Sequence, residues 1–368
     1  MRVPYNYLPM EFSNNKEIIN HWKKLIKSTD FTLGQYMLDF ENKFKKYINA
    51  KYCVATNNGT DALILSLKSL GIGKGDEVIT VTNTFYATVG AIVAVGAKPV
   101  LCDSDSRFQI NISEIEKLIT KKTKAIVPVH WGGASPIMGQ IIKIAKKHNL
   151  FVVEDACMGI GAKINKKSPG TFGDVGAFSM HPLKSLNVMG DGGAVVTNNK
   201  KIYEWMIKYR NHGMINRNEN VMWGVNYRMQ PLQAIVALNG LKKIDKVIKD
   251  RNVNAKFYDN KLKDLNHKGL IKIPERPKGY VETFALYMIE CKNRDSLLSY
   301  LIRNKIEAKV HYPKPLHKQK AYLKSYKKVN LPIAENQAKT LITLPVHQFL
   351  SVNQLKFVTN KIKSFYSN

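Results

Sequence analysis

The chain has 368 residues, 44% of them hydrophobic, and a formal net charge of +29, which is length enough for a sizeable core and more than one domain. Its longest small-apolar run, residues 89–97, falls well short of the roughly 20 residues that a helical membrane span requires, and the first residues lack an apolar secretory stretch, so no membrane span and a cytoplasmic location are expected. The positive charge lies mostly on lysines scattered along helical segments, which reads as solvated helix faces and leaves room for attracting an anionic substrate; arginines clustered with aromatics, as in a nucleic-acid groove, are lacking.

The first 30 residues read as a strap or helix packed on the body. From residue 52 short apolar runs alternate with helical patterns: YCVAT, then DALILSLKSLG; DEVITV, then FYATVGAIVAVG; KPVLCD, then ISEIEKLIT; KAIVPVH, then IIKIAKKHN; and then FVVEDA. Val- and Ile-rich runs interleaved with helices predict an α/β domain around a largely parallel sheet buried on both faces. GAFSM (176–180) and GAVVT (193–197) read as further strands of that sheet, with the loop HPLKSLNVMGDGG between them. Past Gly240 a long basic helical stretch, then strand-like FALYMIE and the helix DSLLSYLIRNK, predict a smaller C-terminal α+β domain. The expected division is 1–245 for the large domain with its strap and 246–368 for the small one. Cys53, Cys102, Cys157 and Cys291 lie dozens of residues apart, without the spacing that lets thiolates share a zinc ion, so they read as reduced structural thiols and no metal is expected.

Three features carry chemistry. Asn58-Gly59-Thr60-Asp61 follows a strand and opens a helix, where free N–H groups and the helix dipole suit a phosphate; Thr60 or Asp61 acting only as an N-cap is the plainer alternative. Glu154-Asp155 ends the strand FVVEDA, and carboxylates at such strand ends face the ligand crevice of open α/β sheets. A carboxylate there could keep a pyridine ring protonated, bind a metal or ribose, or cap a helix. Lys184 sits in the loop between two apolar strands; its amine could form a Schiff base if burial lowers its pKa, or it could be an exposed loop lysine. Ser179, at the end of the preceding strand, could donate to a phosphate.

Together these features resemble the DegT/DnrJ/StrS family of sugar aminotransferases, which have the fold-type I architecture of the aspartate aminotransferase superfamily. The matching motifs run through nearly the whole chain: FTLGQYMLDFENKFKKY, NNGTDALILSL, GDEVITVTNTFYAT, AKPVLCD, KAIVPVHWGG, VVEDA, GAFSMHPLKSLNVMGDGG, RNHG, WGVNYRMQPLQA, HYPKPLH and LPVH. The resemblance implies pyridoxal 5'-phosphate as cofactor, carried on Lys184, with Asp155 at its pyridine nitrogen, Gly59, Thr60 and Ser179 on its phosphate, and Phe85 stacked on its ring. It implies a homodimer with shared active sites, in which Asn226 reaches the neighbour's phosphate with Arg228 close by. His212, Tyr312 and His317 are the candidate walls of the acceptor pocket. The implied reaction moves an amino group from glutamate to a nucleotide-linked 3- or 4-keto-6-deoxy sugar, for amino-sugar or surface polysaccharide synthesis. A small phosphorylated ketose as acceptor, or a regulator that binds the cofactor without catalysis, are the alternatives. The sequence departs from the family at Met158, three positions past the aspartate, where relatives usually place a polar residue against the ring's phenolic oxygen; a thioether is a poor acceptor and no donor.

Overall fold

The computed structural model describes residues 1–367. Its main sheet contains β1 (Tyr52–Thr56), β2 (Glu77–Val81), β3 (Lys98–Cys102), β4 (Thr123–Val127), β5 (Phe151–Asp155), β7 (Val175–Ser179) and β8 (Gly193–Thr197), ordered β1-β8-β7-β5-β4-β2-β3. β8 runs antiparallel to both β1 and β7, while β7, β5, β4, β2 and β3 are mutually parallel neighbours. All five residues of β2, β7 and β8 are buried. Such continuous apolar runs are what a sheet covered by helices on both faces demands. The expected α/β class with a mostly parallel, mixed sheet is therefore what the chain adopts.

The consequence for function is positional. The C-terminal ends of β1, β2, β5 and β7 open on the same edge of the sheet, and the reversed β8 brings Gly193 into register with both Thr56 and Ser179. That edge is where α/β sheets hold ligands.

Helix Gln35–Ile48 buries Met37, Phe40, Phe44 and Ile48, a 3–4 residue spacing that turns one apolar stripe toward the core. These side chains join Phe178, Met180 and Ala194 in one hydrophobic cluster. The segment ISEIEKLIT, expected as one helix, forms a single turn, Ile112–Ile115, that tightens into a 3-10 turn, Glu116–Leu118. It starts on the Asn111 cap and ends at extended Ile119, too few residues for helix propagation to offset nucleation.

The remaining strands are short: β6 (Lys163–Ile164), the hairpin β9 (Met214–Asn216) and β10 (Glu219–Asn220), β11 (Ile271–Lys272), β12 (Tyr280–Val281), β13 (Tyr287–Cys291) and β14 (Leu341–Leu344). β11, β13 and β14 form a second, antiparallel sheet, and β12 pairs with β6. Helix Ile244–Lys261 runs from one core to the other: Ile244 and Ile248 pack in the first cluster, and Ala255 and Tyr258 pack with Tyr287, Leu297, Ile342 and Leu355 in the second. Val3 also belongs to that second cluster and bridges to Ile306. The N-terminal strap thus ties itself to C-terminal elements before it crosses to the body.

Candidate active site

At the carboxyl edge of the main sheet lies a cavity of about 250 Å³, lined by Gly59, Thr60, Phe85, Asp155, Met158, Ser179, Lys184 and Tyr312 among others. These residues are spread over more than 250 positions and come from five separate turns. The fold, not the sequence neighbourhood, brings them together.

Gly59 begins helix Gly59–Ser69, whose N-cap is Asn58: its Oδ1 accepts from the Asp61 amide at 2.8 Å. Capping therefore falls to Asn58, and neither Thr60 nor Asp61 performs it. A Cβ on Gly59 would lie 2.6 Å from the Ser179 Cβ and 3.1 Å from the Cys157 Sγ. Only a residue without a side chain lets the helix N-terminus approach β7 this closely. The result is a concave corner of helix N-terminus and hydroxyl, which is the chemistry an anionic phosphate needs.

Asp155 is buried and closes β5. Its Oδ2 accepts from the Thr88 hydroxyl at 2.7 Å, Thr88 shares a 2.8 Å hydrogen bond with Thr84, and Oδ1 accepts from the Cys157 amide at 3.2 Å. These two donors fix the direction of the carboxyl group. Strand alternation turns Glu154 to the opposite face, where it is fully buried and accepts from the amides of Gly170, Phe172 and Gly173 and pairs with His130 at 3.0 Å. Glu154 holds the loop leading into β7, and Asp155 alone faces the cavity.

Lys184 follows a turn closed by its amide on the His181 carbonyl at 2.9 Å. Burial pushes its ammonium down from the usual lysine range, against the opposing pull of Cys157 and Asp155. Burial pushes the Cys157 thiol well up, so this cysteine stays a neutral wall beside the amine. A lysine biased toward its neutral form is a nucleophile and a proton carrier.

Phe85, 47% exposed, caps helix Tyr86–Ala94 and stands 6.2 Å from the Tyr312 ring. Tyr312 also packs on Trp131, at 5.7 Å, and its phenol is pushed up to about 12 by burial and by Tyr86. The sequence reading missed several lining residues: Tyr5, Thr84, Thr88, Trp131, His181, Asp191 and His311. His311 bonds Thr343 through Nδ1, and burial together with Lys309 and Lys184 lowers its pKa to about 4. Its place beside Tyr312 in HYPKPLH was the available signal.

Four expected residues lie off the cavity. His317 is fully buried, with Nδ1 on the Thr82 hydroxyl at 2.8 Å and Nε2 on Glu335 at 3.0 Å. With both nitrogens engaged it pins helix Pro332–Thr340 to the end of β2 and offers nothing to an acceptor pocket; the expectation of a wall residue is corrected here. His212 and Asn226 are exposed on the segment carrying the β9–β10 hairpin. Arg228 donates to the side chains of Asn226 and Asn211, at 2.9 Å each. None of these three lines the cavity of its own chain.

A half-buried lysine, a carboxyl group held in direction by two donors and a helix N-terminus that tolerates no side chain are the fittings a phosphorylated pyridine aldehyde requires. The comparisons agree with this class. Residues 13–363 match the DegT/DnrJ/EryC1/StrS aminotransferase family, and the chain belongs to it; enzymes of this family are pyridoxal-phosphate-dependent aminotransferases, and this chain is one. It is 36% identical over 369 residues to a "Pleiotropic regulatory protein" of Geobacillus stearothermophilus, covering 100% of this chain and 99% of that one. It is also 36% identical to the dTDP-3-amino-3,6-dideoxy-alpha-D-galactopyranose transaminase of Aneurinibacillus thermoaerophilus, over 95% of each chain. Among solved structures it superposes on DesV of S. venezuelae, in complex with a ketimine intermediate, with a TM-score of 0.95 and 32% identity, covering 100% and 99% of the two chains.

Proposed function

We propose that this chain transfers an amino group from L-glutamate to a nucleotide-linked keto-deoxy sugar. The carrying observation is that Lys184, Asp155, Ser179 and Gly59 line one cavity at the sheet edge. Relatives named as transaminases of dTDP-linked and UDP-linked 3-amino sugars support the acceptor class. Bound pyridoxal phosphate supplies an aldehyde for amines and a ring that withdraws electrons from the carbon losing its proton. The protein supplies the rest. Asp155, held by Thr88 and the Cys157 amide, faces the ring nitrogen and keeps it protonated. Gly59, Thr60 and Ser179 receive the phosphate, and Phe85 forms the flat wall against the ring. The Lys184 amine holds the cofactor and, once free, moves the proton at its Nζ, a positioned acid and base within hydrogen-bond reach of the reacting carbon. Tyr312 walls the acceptor side. In a homodimer, Asn226, Arg228 and His212 would serve the partner's cavity, consistent with their place outside their own.

Purified protein incubated with cofactor, glutamate and a panel of keto sugars tests this reading. Aminated sugar and 2-oxoglutarate are expected together, and 2-oxoglutarate limited to one equivalent per site with no sugar of the panel aminated would redirect the acceptor assignment to another ketone. The regulatory relative favours a second reading, a cofactor-binding sensor. A cavity-lining lysine beside a held carboxylate speaks for turnover, and a protein that binds the cofactor yet aminates nothing would reverse that preference.

A further inference from the structure

Among the described residues, one side-chain hydrogen bond joins the N-terminal strap to the catalytic loop. Val3 exchanges backbone hydrogen bonds with Lys305 and Glu307, at 2.9 and 3.0 Å, the Tyr5 amide donates to Glu307 at 2.9 Å, and His347 donates to the Pro4 carbonyl at 3.0 Å. These contacts fasten the strap to the C-terminal elements. Two residues further on, the Tyr7 hydroxyl donates to the main-chain carbonyl of Lys184 at 3.0 Å. Tyr7 is buried, its ring lies 5.3 Å from His347 and 6.2 Å from Phe349, and the Arg251 guanidinium stands 5.2 Å from its ring centre. Arg251 is 1% exposed and pairs with no carboxylate among the described residues; Nε donates to Gln348 at 3.0 Å, Nη1 to the Phe284 carbonyl at 3.4 Å, and Nη2 has no partner. A guanidinium is expensive to bury without an anion, so the face of the Tyr7 ring is its main compensation and the two groups lock each other in place.

We propose that Tyr7 is a positioning residue for Lys184: the strap, clamped by Arg251 and His347, fixes the main chain from which the reactive amine swings, and so couples the C-terminal elements to the reacting centre. This rests on the reading of Lys184 as the cofactor-bearing lysine. Apart from Tyr7, the Lys184 carbonyl receives only a long contact from Asn187, at 3.4 Å, so loss of the phenol hydroxyl would leave that carbonyl without its short hydrogen bond, while Ser185 still holds the next residue to the Ile160 carbonyl at 2.9 Å. A shift of the amine on the ångström scale costs up to about a hundredfold in rate.

The test is Tyr7→Phe in the full-length protein, which keeps the ring and its Arg251 contact and removes only the hydroxyl. Expected are a kcat lowered about tenfold, a KM for glutamate changed by less than about threefold, and a moved pH midpoint of the bound cofactor's absorbance, with the melting temperature close to that of the parent. An unchanged midpoint and kcat would overturn the proposal, and so would lost thermal stability with an unchanged midpoint, since that marks simple packing. The underlying reading is checked separately in the parent protein: borohydride marking a lysine other than Lys184 would sink it, whatever Tyr7→Phe does.

Discussion

Lys184 and Asp155 divide the chemistry between a nitrogen and a carboxylate, and each depends on its immediate neighbours. The carboxylate faces a cavity while accepting from Thr88 and the Cys157 amide, so its direction is set before any ligand arrives. Thr88→Val removes one of these donors at a buried site. It is expected to weaken cofactor affinity about tenfold, in line with the 1–3 kcal/mol that an unmet buried acceptor costs, as measured by equilibrium titration of cofactor absorbance. Lys184→Ala is expected to lower kcat by at least about a thousandfold, the range of a lost positioned base and nucleophile, while folding as the parent does by circular dichroism. Gly59, Asp155, Ser179 and Lys184 stood out in the sequence because strand ends and glycine-flanked loops are where α/β sheets place ligands. Tyr5, Tyr7 and Trp131 did not, since an aromatic in a strap or just past a strand carries no period or motif that distinguishes a cavity wall from packing. His317 shows the converse: its motif suggested a wall, and its partner Thr82, 235 positions away, could be found only in the fold.

At the scale of elements, the decisive feature is the close approach of helix Gly59–Ser69 to β7. Gly59→Ala would put a methyl group 2.6 Å from the Ser179 Cβ, and both groups belong to rigid elements. The expected outcome is a loss of about 1–3 kcal/mol in stability from overpacking, read by denaturant melts, together with weaker binding of phosphate-bearing cofactor than of the unphosphorylated aldehyde relative to the parent. Strand identities and the parallel α/β order were legible from Val- and Ile-rich runs because a doubly covered strand must be apolar on both faces. The reversal of β8 was not legible. Its sequence GAVVT reads like its parallel neighbours, and direction depends on the length and path of the loop that holds Lys184.

Over the whole molecule, the strap, helix Ile244–Lys261 and helix Pro332–Thr340 join the C-terminal elements to the main sheet, and buried or half-buried histidines sit at these junctions. His311 and His347 both have pKa values lowered to about 4 by burial. The unfolded chain takes up protons near the ordinary histidine value of about 6.5, before the fold does. Stability is therefore fully present above that pH and falls as pH drops from about 6.5 toward 4; a melting temperature that stays level across this window would contradict the assigned burial. His347→Asn should flatten part of the slope.

The central claim, that the Lys184 amine carries the cofactor, is tested most directly by reducing the protein with borohydride in the presence of pyridoxal phosphate, digesting it and locating the pyridoxyl group by mass spectrometry. The mark is predicted on the peptide containing Lys184 and nowhere else. A mark on any other lysine, or full activity retained after exhaustive reduction, would contradict the account.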